Sequence, residues 1–365
     1  MNITRPTLLL DEQRCRANIR RMVEKARRNS VTLRPHFKTH QSHEVGRWFR
    51  EEGVTSCTVS SVRMAAYFAE DGWNDITVAF PLNYLEHEEI NRLAGKIQLN
   101  VLAVNAEALK GLLEKLTNAV GVFVEIDSGY HRTGVDPSDQ ATLDEILAVI
   151  ESSPLLDFKG LLSHAGHSYS CRSAIEILTI HQQTTQVMKR VGTRIRARYP
   201  DLVLSVGDTP TCSIANDFSG IQEIRPGNFV FYDIMQRGIG SCSDDNIAIA
   251  LACPVVATYP SRGEIIVHGG GVHLAKDVLK QEDGSPVYGK VVRLTNEGWS
   301  IPATSMTVKS LSQEHGIIRA SAEDCASLKP GDVLGVLPVH SCMTADVMTE
   351  YYTLSGKRIT MMPKA

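Results

Sequence analysis

Two short stretches and four polar clusters in this 365-residue chain have residue types and spacing that could do chemistry. Near the front, Leu33-Arg34-Pro35-His36-Phe37-Lys38-Thr39-His40 sets a lysine at the end of a short apolar run, between two histidines. A lysine is a poor nucleophile while charged. It becomes useful when a site desolvates it or when it forms an imine with an aldehyde. Near the end, Val339-His340-Ser341-Cys342-Met343-Thr344 carries a His-x-Cys pair. On an extended segment both side chains would share one face, and imidazole with thiolate suits zinc. Two ligands do not close a site, however, and buried Cys and His are common in cores.

The four clusters lie between these stretches. They are Asp127 to Gly134 with Arg132, Ser163 to Tyr169 with His164 and His167, Ser205 to Thr211 with Gly207 and Thr209, and Arg225 to Asp233 with Gly227, Asn228 and Tyr232. Small residues in the last two would let backbone N–H groups approach a phosphate, and the Thr209 hydroxyl can donate as well. Each feature alone has a plain reading. Lys38 is a solvated strand-end lysine, Gly-Asp-Thr-Pro-Thr an ordinary turn, Arg132 a surface partner of Asp127 or Asp136, and His164 a core histidine. Gly269-Gly270-Gly271 reads as a tight turn.

The positions of these clusters follow from the elements around them. Arg14 to Arg28 has helical spacing with one buried face. Val31-Thr32-Leu33 reads as a strand feeding Lys38, and Ser42 to Glu52 as a helix closed by Gly53. Strand-like runs then recur at Thr55 to Val59, Ile76 to Phe80, Ile97 to Val104, Val120 to Ile126, Phe158 to Ser163, Leu202 to Val206 and Ile221 to Ile224. Helical stretches separate them. About eight β/α units over ~230 residues suit a (β/α)8 TIM barrel. A doubly wound sheet would show the same alternation, but no Gly-x-Gly-x-x-Gly follows the first strand. In a barrel, functional groups collect after the strand C-termini, which is where Lys38 and the four clusters fall. Past about Gly240 short strands with Gly, Pro and Asn turns predominate. The expected domains are a barrel over 1–240, with the first few residues joining the second unit, and a mostly-β domain over 241–365.

Composition sets the outer limits. An apolar content of 43% is ample for one large domain and a smaller one. A net charge of -3 gives no long-range field for nucleic acid or an anionic membrane. No apolar run approaches a bilayer span, and Met1-Asn2-Ile3-Thr4-Arg5-Pro6 does not open a signal peptide. The eight scattered cysteines, without a Cys-x-x-Cys pair, read as reduced thiols of a cytoplasmic enzyme.

The segment Arg-Pro-His-x-Lys-Thr-His after a first strand resembles the pyridoxal-phosphate lysine of the D-serine dehydratase and D-threonine aldolase family. These are alanine racemase-like proteins, and the resemblance runs along nearly the whole chain. It implies a pyridoxal phosphate held by Lys38 in the barrel, His164 stacked on its ring and Tyr169 beside the imine. It also implies that the loops with Gly207, Thr209, Gly227, Asn228 and Tyr232 cradle its phosphate. Arg132 is the candidate beside the ring nitrogen. His340 and Cys342 become ligands of a divalent metal, either zinc or manganese or magnesium, that polarises a β-hydroxyl. The expected partner is a small D-amino acid, with no nucleic acid or membrane, and the expected assembly is a homodimer. A thiolate ligand favours D-serine dehydratase-like elimination of water, with D-threonine aldolase-like cleavage as the alternative. Racemisation would need a second acid/base such as Tyr259 or Tyr288 and would leave His340 and Cys342 without purpose. A non-catalytic pyridoxal carrier of this fold would usually be a lone barrel.

Overall fold

The computed structural model describes residues 2–295, 297–300 and 306–364. Eight parallel strands form the first sheet: Thr32–Leu33, Cys57–Val59, Asp75–Pro81, Gln98–Ala103, Val120–Glu125, Leu156–Ser163, Val203–Val206 and Glu223–Ile224. Neighbours in sequence are neighbours in the ring, and Thr32–Leu33 also pairs with Glu223–Ile224. Each expected barrel strand is present. These strands read as continuous apolar runs because helices cover the outer face while the barrel interior covers the other. Val120–Glu125 is buried at every residue. The helices begin where the sequence supplies a side-chain acceptor. Ser61, Asn105, Asp139 and Ser173 each take the backbone N–H three residues on.

The ring closes between its first and second strands through a single bridge, His36 to Thr58. Phe37 donates its N–H to Thr58 O at 2.8 Å, and Thr58 donates to Pro35 O at 2.9 Å. The seam therefore lies in the turn that carries Lys38. Below it the barrel is polar. Arg34 reaches Glu223 Oε2 at 2.6 Å and both oxygens of Asp75 at 2.7 and 2.8 Å. Burial alone would lower the Arg34 pKa, but the two carboxylates more than offset it and the group is held charged.

The second sheet is antiparallel apart from one parallel pairing and has ten strands. Ile249–Tyr259, Glu264–His268, His315–Arg319, Thr307–Leu311, Gly289–Thr295 and Val333–Pro338 pair in a closed cycle. Thr7–Leu10 precedes the barrel in sequence but is built into this sheet, antiparallel to Ile249–Tyr259 and parallel to Glu350–Thr353.

Two expectations fail here. The Gly269-Gly270-Gly271 run is not a simple tight turn, because Gly270 caps a short helix, Gly271–Leu274. His340-x-Cys342 is not extended either. His340 is the N-cap of helix Ser341–Met348, so Cys342 sits in its first turn. The reason is a buried carboxylate: Asp233 Oδ2 accepts the Ser341 N–H at 3.0 Å and satisfies a helix-start donor that a strand would have spent on a neighbour.

Removing one partner from the barrel network leaves a buried charge uncompensated. Glu223→Ala should lower stability by about 3–5 kcal/mol, read as a lower urea midpoint. An unchanged midpoint would show that Asp75 alone suffices for Arg34.

Candidate active site

A cavity of about 300 Å³ opens at the C-terminal ends of the barrel strands, where the β domain meets them. That is the lower end of the range for small-molecule sites. Lys38, Arg132, His164, Tyr169, Gly207, Gly227, Asn228, His340 and Cys342 all line it. Thr209 and Tyr232 do not. Thr209 is buried behind the wall, where its N–H donates to the Tyr169 hydroxyl at 3.3 Å and its Oγ1 accepts from Phe229 N–H at 3.3 Å. Tyr232 lies with its hydroxyl 3.0 Å from Ser213 Oγ.

Lys38 is exposed, and its side chain lies within the walls of the cavity. Burial lowers its pKa and Arg132 adds to this, with Cys342 opposing. His164 donates from Nδ1 to Gly207 O at 2.6 Å. Burial pulls its pKa down to about 3, so at neutral pH the ring is uncharged and one tautomer is fixed. Burial pushes the Tyr169 hydroxyl well above its ordinary range, so it keeps its proton. Gly207 and Gly227 have a packing reason to be glycine. An added Cβ would stand 2.8 Å from the Arg225 backbone in one case and 2.9 Å from His36 O in the other.

Arg132 is exposed at the rim, 5.3 Å over the Tyr130 ring. The guanidinium in the floor belongs to Arg225, which is buried and donates to Ser163 O at 2.8 Å and to Ser205 Oγ. Burial lowers its pKa to about 10, and it stays charged at neutral pH. Arg225 opens the cluster Arg225 to Asp233, in which Gly227, Asn228 and Tyr232 carry the sequence signal. Glu125, His36 and Asp208 also line the cavity. The first two end or follow barrel strands, which was the available signal. Asp208 caps helix Thr209–Ile214 and accepts from Ser168 Oγ at 2.7 Å, joining two loops. Asp277, another lining residue, had no sequence signal.

Cys342 Sγ lies 3.1 Å from Thr39 Oγ1, and His340 Nδ1 lies 3.4 Å from Asp233 Oδ2. Burial would raise the thiol pKa, but His340, Thr39 and Lys38 together pull it below its ordinary value. The imidazole moves up despite burial, held by Cys342 and Asp233. A thiol already disposed to ionise beside an imidazole, facing a cavity, is a donor set that fits zinc with open positions. A lysine of lowered pKa and an uncharged histidine lining one cavity likewise fit a pyridoxal ring. A second group, His268, His273 and Glu314, brings its ligand-type atoms within 4.8 Å of one another in the β domain. There the Gly270 N–H donates to His273 Nδ1 at 3.2 Å. That leaves the ring proton on Nε2, facing the carboxylate, where a metal would need a lone pair.

The alanine racemase N-terminal domain matches residues 10–234, and the "Putative serine dehydratase domain" matches residues 248–354. This chain belongs to the D-serine dehydratase and D-threonine aldolase family of alanine racemase-like proteins. It is 29% identical to D-serine dehydratase of Dictyostelium discoideum, covering 97% of this chain and 94% of that one. It is 30% identical to D-threo-3-hydroxyaspartate dehydratase of Delftia sp., covering 98% and 95%. The solved structure of that dehydratase superposes with a TM-score of 0.90 at 26% identity, covering 100% of this chain and 98% of that one. D-threonine aldolase of Arthrobacter sp is 25% identical, covering 92% and 85%.

Because the Lys38 pKa is lowered, its neutral amine predominates from a pH below the ordinary 10.5. Pyridoxal phosphate followed by borohydride should give one adduct, mapped to Lys38 by peptide mass, with half-maximal labelling below that pH. Labelling spread over surface lysines, and unchanged in Lys38→Arg, would contradict the assignment.

Proposed function

We propose that this chain is a pyridoxal-phosphate- and metal-dependent lyase of D-3-hydroxy amino acids, acting as a D-serine dehydratase that eliminates water to give a keto acid and ammonia. The observation that carries this is the meeting of Lys38 with His340 and Cys342 around one cavity. In this reading the cofactor belongs to a barrel domain over 1–240 and the metal to a β domain over 241–365. Bound there, pyridoxal phosphate supplies an electron sink for bonds at Cα, and the metal, zinc before manganese or magnesium, polarises the β-hydroxyl.

The chain's own residues divide the remaining work. Lys38, whose pKa burial lowers, takes the proton from Cα. His164 stays uncharged and offers a fixed ring face. Tyr169 keeps its proton and orients groups beside Lys38 by donating it. Gly207, Gly227 and Asn228 form the phosphate side of the wall, with Thr209 and Tyr232 bracing it from behind. Arg225 provides the buried cation of the floor, and Arg132 guards the rim. The resemblance extends the proposal to a cytoplasmic homodimer.

Solved forms of the Delftia dehydratase include an alanine variant of a histidine and one of a cysteine two positions on, the latter in a metal-free form. That spacing is the spacing of His340 and Cys342, and it supports the metal reading and the dehydratase outcome. Aldol cleavage would use the same lysine and metal but needs a base for the hydroxyl proton, so it stands second. Tyr259 and Tyr288, the candidates for a racemase, are not among the residues that line the cavity.

Product analysis tests the proposal. Protein loaded with pyridoxal phosphate and zinc should convert D-serine to pyruvate and lose that activity with a chelator. Lys38→Ala should lower it by about 10²–10⁴-fold or more. Glycine and acetaldehyde from D-threonine, without keto acid, would make it an aldolase instead.

A further inference from the structure

We infer that Asp233 is a positioning residue for the metal ligands, holding His340 in the tautomer that presents Nε2 and fixing the helix start that carries Cys342. Asp233 is fully buried, at 0% exposure. Its Oδ1 accepts the Gln236 N–H at 2.9 Å and caps helix Ile234–Gly238. Its Oδ2 has a different task. That one oxygen accepts from Asn228 Nδ2 at 2.7 Å and from Ser341 N–H at 3.0 Å, and it stands 3.4 Å from His340 Nδ1. His340 Nδ1 is buried and makes no hydrogen bond among the described residues, and the Asp233 carboxylate stands 3.4 Å from it as an acceptor. A carboxylate beside Nδ1 keeps the ring proton there and leaves the Nε2 lone pair as the donor atom.

Ser341 lies between the two ligand residues, so the oxygen that orients the imidazole also anchors the backbone leading to Cys342. Asn228 completes the joint. Its Nδ2 also reaches Ser341 Oγ at 2.8 Å and Cys342 Sγ at 3.6 Å. The carboxylate at 2.7 Å fixes which end of that amide is nitrogen. In the proposed site Asn228 meets the phosphate side through its backbone, while its side-chain nitrogen is committed to the metal side. One loop of the barrel thereby sets the geometry of ligands on the β domain.

The inference rests on His340 and Cys342 being metal ligands, and the experiment separates the two. Zinc affinity is measured by chelator competition on the cofactor-loaded protein, with Co²⁺ substitution to report the ligand field. Wild type should hold the metal, and His340→Ala and Cys342→Ala should lose it. Asp233→Asn should weaken zinc by about 10–100-fold and shift the Co²⁺ spectrum. If the ligand variants bind zinc as wild type does, the metal reading fails and the positioning role with it. If they lose zinc while Asp233→Asn keeps wild-type affinity and spectrum, only the positioning role is overturned. Should Asp233→Asn not fold, histidine ¹⁵N NMR of the zinc-loaded wild type decides. Nδ1 protonated with Nε2 on the metal is expected for His340, and the opposite arrangement overturns the inference.

Discussion

Lys38 is held by a clamp, and the shape of the cavity depends on it. Each of the three residues after Lys38 is tied to the C-terminal part of the chain. Thr39 Oγ1 meets Cys342 Sγ at 3.1 Å, the Tyr351 hydroxyl donates to His40 O at 2.9 Å, and Met362 N–H donates to Gln41 O at 2.6 Å. Gln41 Nε2 also reaches Asp346 Oδ1 at 3.0 Å, from a backbone with φ of 47°. On its other side the same turn closes the barrel through His36 and Thr58. A segment pinned at both ends cannot move its lysine without opening either the barrel seam or the contact between the two sheets. Distance along the chain is therefore irrelevant to the spacing of Lys38 and Cys342; the clamp sets it.

Burial then acts on several titratable groups near this clamp, with results that depend on the partner. His36 and His164 lose their charge because nothing anionic is close enough to offset desolvation. Lys38 is pulled the same way, partly resisted by Cys342. Where a carboxylate or thiol does stand close, the outcome reverses, as at His340 and at Arg34. The barrel side of the cavity thus holds two uncharged imidazoles, His36 and His164, above the buried Arg225 cation, and His340 and Cys342 face them from the β domain.

The fold was legible because parallel barrel strands are apolar throughout and because Ser, Asn and Asp mark the helix starts. The second sheet was legible in kind but not in detail. Glu350–Thr353 and Arg358–Thr360 are short, and the first joins the sheet through a strand at the opposite end of the chain, Thr7–Leu10, which no local pattern reports. The site divides along a similar line. Residues placed by strand ends, such as Lys38 and His164, could be read from the alternation. The two histidines flanking Lys38 could not be told apart by position. His36 lines the cavity, whereas His40 is packed among Phe37, Phe49 and Phe68. Arg132 and Arg225 exchanged prominence for a similar reason, since burial depends on loop height above the barrel and not on residue type.

The failed reading of His-x-Cys shows what lies between pattern and chemistry. Strand alternation would place two such side chains on one face, and the structure brings both to one cavity without any strand. An N-cap and the second residue of its helix can face the same side when something holds the first turn in place. The sequence carries that element as Asp233, more than a hundred positions earlier and in a different sheet's loop. It is an ordinary helix cap for its own helix, which is why its motif suggests nothing more. The constraint on the His340–Cys342 pair is thus a tertiary one: a buried carboxylate oxygen with several donors, whose requirement to be satisfied is strong enough to turn the end of a strand into the start of a helix.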